Sequence, residues 1–128
     1  MAKVLVIDDD AAMRRMISRV LTEAHHQVIE AADGRDGIRK FRAEAPEIIV
    51  TDIVMPEQEG IQTIREIRSA GSAVGIIAIS GGGGTGDGAL YLTIAEELGA
   101  DAVLQKPFRL AELVAVVDRM LSRDAPAN

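Results

Sequence analysis

The 128-residue chain contains no cysteine and no tryptophan. Without thiols there is no disulfide framework, no thiol nucleophile and no zinc–thiolate site, and a cytoplasmic setting is the simpler expectation. Aromatic residues are nearly absent too. Phe41, Tyr91 and Phe108 are all there are, too few for the stacking platforms of single-stranded nucleic-acid binders. Positive charge is in deficit: 14 Lys and Arg stand against 20 Asp and Glu, a net charge of −6. A general nucleic-acid binder needs a basic face, so direct nucleic-acid binding is not expected. No apolar run approaches the ~20 residues of a membrane span. The short apolar run Val4–Ile7 ends at Asp8 and is too brief for a signal-peptide core, so no membrane insertion is expected. What the chain does have is a 48% hydrophobic content, which excludes a disordered chain and at this length suffices for one core.

Short β-branched runs alternate with longer amphipathic stretches. Val4–Ile7, Gln27–Ala31, Ile48–Val50, Ile76–Ile79 and Ala102–Leu104 read as strands, the second being the weakest. Met13, Met16, Ile17, Val20 and Leu21 follow the i, i+3, i+4, i+7, i+8 spacing of one helix face, with Asp9 or Asp10 available to cap it. Further helices are marked by Gly37, Ile38 and Phe41, closed by Pro46, and by Ile61, Ile64 and Ile67. Leu90, Ile94 and Leu98 follow, with Gly99 at the C-cap, and then Leu110, Leu113, Val114, Val117 and Leu121. Nearly continuous apolar strands need cover on both faces. Five strands alternating with five helices therefore predict a doubly wound α/β domain with a parallel sheet, too small for an eight-fold barrel. In such sheets ligands bind beyond the carboxyl ends of the strands.

Those ends carry Asp8, Asp9 and Asp10 after the first strand, Asp52 after the third, Ser80 after the fourth and Lys106-Pro107 after the fifth. A lone strand-end Asp is commonly a turn former or a helix cap, and a lone Lys a solvated surface group. The combination tips the balance toward chemistry. Two carboxylates 4 Å apart repel by roughly 4 kcal/mol at an effective dielectric of 20. A cluster of Asp8, Asp9 and Asp52 must therefore take up protons or bind a cation. Oxygen ligands without His or Cys select Mg²⁺, Mn²⁺ or Ca²⁺, and few protein ligands with several waters suit Mg²⁺. Asp52 can act as a nucleophile and form an acyl phosphate. The metal and Lys106 can neutralise phosphoryl oxygens, and Ser80 can donate a hydrogen bond to one of them.

The motifs Val4-Leu5-Val6-Ile7-Asp8-Asp9-Asp10, Asp52-Ile53-Val54-Met55-Pro56 with Gly60, Ser80, Gly99-Ala100-Asp101 and Lys106-Pro107-Phe108 occur in this order on these elements. With them the chain resembles a response-regulator receiver domain of the chemotaxis-protein type, over residues 3–122. The resemblance implies a flavodoxin-like fold with five helices and strand order 2-1-3-4-5. It implies that Asp52 accepts a phosphoryl group from a histidine kinase or a phosphohistidine (phosphotransfer) protein. Mg²⁺, or Mn²⁺, would be held by Asp8, Asp9, Asp52 and the backbone carbonyl of Val54. Ser80 matches the hydroxyl that turns toward the phosphoryl group. Lys106 matches the family's lysine, whose bond to the following proline is often cis. Asp10 has no catalytic counterpart and reads as the helix cap. The implied role is a two-component signalling switch that catalyses its own Mg²⁺-dependent phosphorylation and slow dephosphorylation. A downstream protein would bind at the face of the fourth helix, fifth strand and fifth helix. On this basis residues 1–123 form the receiver domain and 124–128 a flexible tail, with no output module attached.

Two departures from the family pattern stand out. The switch aromatic three residues before the lysine is here Val103, which cannot swing a ring between buried and exposed poses. Six of the twelve glycines fall in Gly81–Gly88, a segment expected to be mobile and to replace the ring as the moving part. Three rival functions follow from the same residues. The glycine run fits G-x-G-x-x-G after a strand, but not the first strand of its unit, and Asp101 precedes a strand. An aspartyl-phosphate phosphatase would use Asp8 as nucleophile, although Ala12 departs from that pattern. A degenerate receiver would only dock partners. His25 and His26 cannot face one way, so a metal site there is not expected. Met13 and Met16 fit core packing.

Overall fold

Four parallel pairings set five strands in the order β2-β1-β3-β4-β5, as the resemblance implied. The computed structural model describes residues 2–53, 59–80 and 87–124. The elements are β1 (Lys3–Ile7), α1 (Ala11–Glu23), β2 (Gln27–Ala31), α2 (Gly34–Glu44), β3 (Ile48–Asp52), α3 (Glu59–Ser69), β4 (Gly75–Ser80), α4 (Asp87–Leu98), β5 (Ala102–Gln105) and α5 (Leu110–Asp124). The Val54 carbonyl and the Gly81–Gly86 run lie outside the described residues, as do residues 125–128. The helix expected to stop before Asp124 continues through it. Among the described residues no helix is long and apolar enough to cross a membrane.

Strand side chains alternate between the two sheet faces. Val4, Val6, Val50, Ile77 and Ile79 pack with Ile17 and Leu21 of α1 and Leu113 and Val117 of α5. Leu5, Ile7, Ile49, Ile76 and Ala78 pack on the other face with Ile61, Ile64 and Ile67 of α3 and Ala95 of α4. Each fully buried Val, Leu or Ile among them contributes roughly 1.5–3 kcal/mol of transfer free energy. β2 and β5 are the sheet edges, and β5 is only half-buried. Val103 on β5 packs partly against the α3–α4 side.

The ends of the helices are set by local chemistry. Asp10, and not Asp9, caps α1, its carboxylate accepting from the backbone N–H of Ala12 at 3.0 Å and Met13 at 3.2 Å. Asp33 caps α2 by accepting from Asp36 N at 2.8 Å. That helix stops at Ala45, which takes a left-handed φ of 47° just before Pro46. Gly99, at φ 113°, ends α4 and lets Ala100 N–H donate back to Ala95 O.

One expectation needs correction and another is met. Met16 is 51% exposed; it lies at the edge of the apolar stripe of α1, lining an open depression with Phe108 and Leu110. The adjacent histidines do diverge: His25 is exposed, whereas His26 is buried. The His26 ring accepts from Ala2 N–H at Nδ1 (3.2 Å) and lies 3.3 Å from Asp118 Oδ1 through Nε2.

The amino edge of the sheet is tied by Arg68. Its guanidinium donates to the carbonyls of Ser72, Val74 and Gly99 and to Asp101 Oδ2 at 2.8 Å. The same Asp101 oxygen accepts from Ile76 N–H at 2.9 Å. Asp101 therefore serves the edge opposite to that where ligands bind in such sheets, which removes it from any nucleotide site. Arg68→Ala strands three carbonyls and a carboxylate and is expected to cost about 2–3 kcal/mol. Arg68→Lys should recover only part of this, because an ammonium cannot span the same fork. Urea unfolding midpoints of the three proteins provide the measurement.

Candidate functional site

The parallel register places Ile7 of β1 beside Thr51 of β3, so Asp8 leaves the sheet next to Asp52. Asp8 is 1% and Asp52 5% exposed, while Asp9 is exposed to solvent. One carboxylate oxygen from each of the three lies within 4.8 Å of the others. Asp8 Oδ1 accepts from Asp10 N–H at 2.9 Å. Asp8 Oδ2 is buried and has no hydrogen-bond partner among the described residues. Leaving a buried carboxylate oxygen unpaired is costly, and a cation in the cluster would remove that cost.

Lys106 supplies the opposing charge. Its backbone N–H donates to Ser80 O at 2.8 Å, which extends the β4–β5 pairing by one step. Its Nζ reaches Asp52 Oδ2 at 3.0 Å, and its peptide bond to Pro107 is cis. Ser80 is fully buried at the end of β4, one residue beyond Ile79, which pairs with Asp52 across β3 and β4. Asp8, Asp9, Asp52, Ser80 and Lys106 thus share one edge of the sheet. Asp8, Asp9 and Asp52 converge on each other, and Lys106 on Asp52.

The electrostatics follow from this crowding. Burial pushes the Asp8 carboxyl up from 3.8 to about 6 against the stabilising bond from Asp10 N–H, and the charges of Asp52 and Asp9 add to the rise while Lys106 opposes it. Burial by itself would lower the Lys106 amine, but the hydrogen bond and charge of Asp52, helped by Asp8 and Asp10, outweigh it and hold the amine above its usual range. Three carboxylates against one ammonium leave an excess of negative charge. An all-oxygen donor set with one orphaned oxygen fits a hard divalent cation of the Mg²⁺ kind.

One contributor was not legible as functional from the sequence. Arg14 donates from Nη1 to the Asp8 carbonyl at 2.7 Å and from Nε to Glu30 Oε1 at 3.0 Å. Lys40 donates to the Glu30 carbonyl. In the sequence Arg14 looks like an ordinary surface position of α1; only the fold brings β2 within its reach. Gly60, in the first turn of α3, lies so close to β3 that a Cβ there would sit 2.2 Å from the Asp52 carbonyl oxygen and 2.4 Å from Ile53 Cα. Gly60 already stood in the motif of the resemblance, and this close approach is its physical reason.

The family model for the response regulator receiver domain matches residues 4–118. The chain belongs to that family. It is 32% identical over 124 residues to the response regulator MprA of Mycolicibacterium vanbaalenii, covering 97% of this chain and 52% of that protein. It is 35% identical over 121 residues to a probable transcriptional regulator, ycf27, of Cyanophora paradoxa, covering 94% of this chain and 48% of that protein. The chain spans about half the length of the curated relatives it matches. In three dimensions it superposes on a Francisella response regulator receiver domain with a TM-score of 0.87 at 26% identity, covering 98% of this chain and all of that one. Receiver domains work in two-component signalling and as a family depend on Mg²⁺. Membership supports the receiver over the phosphatase built on Asp8.

Because the folded pKa of Asp8 lies above its unfolded value, the folded state binds more protons between pH 4 and 6. This group's contribution to stability therefore falls as pH rises from about 4 and levels off above about 6. In metal-free buffer Asp8→Asn is expected to gain in Tm relative to the wild type over that interval. At pH 7.5 excess Mg²⁺ should raise the wild-type Tm and leave that of Asp8→Asn nearly unchanged. Gly60→Ala forces α3 off the Asp52 backbone and should cost about 1–3 kcal/mol in chemical denaturation.

Proposed function

We propose that the chain is a phosphorylation-driven switch in which Asp52 accepts a phosphoryl group from a histidine kinase or phosphotransfer protein. The observation that carries this reading is the 3.0 Å contact of Lys106 Nζ with Asp52 Oδ2 beside two further carboxylates. Asp8, with its orphaned oxygen and raised pKa, is suited to gripping a cation. Asp52, already facing the ammonium, is suited to attack.

An Asp52 oxygen forms a bond to phosphorus as the bond from phosphorus to the donor's imidazole nitrogen breaks, the electron pair leaving with that nitrogen. Lys106 then offsets charge on the carboxyl and phosphoryl oxygens. Ser80 donates its hydroxyl to a phosphoryl oxygen from the end of β4. Mg²⁺, with Mn²⁺ as a substitute, held by Asp8, Asp9, Asp52 and the Val54 carbonyl, would neutralise the transferring phosphoryl group. Attack of water on the same phosphorus returns free Asp52.

Phosphorylation shifts an existing equilibrium between conformers. The surface formed by α4, β5 and α5 is the proposed contact for a downstream protein. The cytoplasm, where phosphodonor proteins of this kind act, is the proposed location. Incubation with acetyl phosphate and Mg²⁺ should add about 80 Da to the intact mass, the weight of one phosphoryl group. The gain should vanish in Asp52→Asn, persist in Asp10→Asn, and be lost with chelator. A chain that gains no mass under these conditions is a docking module only.

A further inference from the structure

Among the described residues Lys3, Arg14, Arg19, Arg39, Lys40, Arg68 and Lys106 each have an acidic partner close by. What sets the space between α2 and α3 apart is that four arginines gather there. Two adjoining depressions of about 570 and 700 Å³ run along these helices and share Arg42, Gln62 and Glu66 in their walls. Arg35, Arg39 and Arg42 line them from α2, and Arg65 from α3. Arg39 is paired with Asp36. Arg35, Arg42 and Arg65 have no ion pair or hydrogen bond with a described residue, and all three are exposed.

The arrangement has a helical register. Residues 35, 39 and 42 are spaced i, i+4, i+7, which places three guanidiniums in one stripe along α2. Arg65 of α3 stands opposite Arg42 at one end of this stripe. Arg35 sits in the first turn of α2, where the helix dipole disfavours a cation, so helix stability does not account for it. Free guanidiniums form bidentate hydrogen bonds with carboxylates. The groove is open along its length and walled by two helices of 11 residues, each about 16 Å long. A shape of this kind suits a polypeptide segment better than a small molecule, which is normally enclosed. The chain's net charge of −6 repels an extended polyanion such as nucleic acid, whereas a short acidic segment meets mainly the local stripe.

We infer that the α2–α3 groove is a docking surface for an acidic helical segment of a partner protein, with carboxylates at i, i+4, i+7 spacing set against Arg35, Arg39, Arg42 and Arg65. The surface is independent of the phosphoryl site and of the α4–β5–α5 face, so phosphoacceptance can fail without affecting it.

The test uses the full chain and a fluorescein-labelled, alanine-rich helical peptide of about 15 residues with glutamates at that spacing, read by fluorescence anisotropy. The wild type is expected to bind it and to lose the binding between low and high salt. Arg42→Glu combined with Arg65→Glu should weaken binding at least about tenfold, with an unchanged circular dichroism spectrum and unchanged mass gain from acetyl phosphate. Charge reversal at Arg119, an exposed cation on α5, should leave the affinity as it was. No binding, or equal binding by the double variant, overturns the inference. So does equal affinity for a peptide of the same composition with its glutamates clustered at one end. Tighter binding of a single-stranded oligonucleotide of matched charge overturns it in favour of a nucleic-acid surface.

Discussion

Everything distinctive about this molecule depends on forcing Asp8 and Asp52 together at the buried edge of a parallel sheet. Like charges at that spacing and depth oppose folding. The fold answers the repulsion with the Lys106 ammonium, delivered from β5 to Asp52, and by letting Asp8 hold its proton to higher pH than a solvated carboxyl does. Neither device satisfies Asp8 Oδ2. The residual strain is electrostatic, an excess of negative charge that a divalent cation in the cluster would relieve.

The supporting structure keeps this crowd in place. Gly60 lets α3 rest directly on the Asp52 and Ile53 backbone. Arg14 holds the Asp8 carbonyl from outside and is itself held by Glu30 at the end of β2. Isoleucine- and valine-rich strands in the middle of the sheet bury their side chains on both faces, so the strand ends that carry the acids have little freedom to part.

The two sheet edges divide the labour. The carboxyl edge gathers charge that a ligand completes. The amino edge completes its own charges internally, with Arg68 and Asp101 satisfying each other and the chain turns around them. This division explains why Asp101, which lies in a family motif, has no part in the proposed phosphoryl site: β5 begins at the opposite edge.

The sequence by itself determined the architecture. Alternation of short apolar runs with helical stripes admits little besides a doubly wound sheet, since both faces of each central strand must be covered. It also determined which residues leave the carboxyl ends of the strands, and hence that Asp8, Asp9, Asp52, Ser80 and Lys106 share one edge. Tertiary structure decided what periodicity cannot encode. It chose Asp10 over Asp9 as the cap of α1, left Met16 on the rim, sent His26 inward to Ala2 and Asp118, and recruited Arg14 and Gly60 to the site. It also set Arg65 opposite Arg42 at one end of the α2 stripe. A stripe predicts which face of an element is buried; contacts between elements far apart in the chain depend on how the helices pack, and that is set by the summed shape of the core.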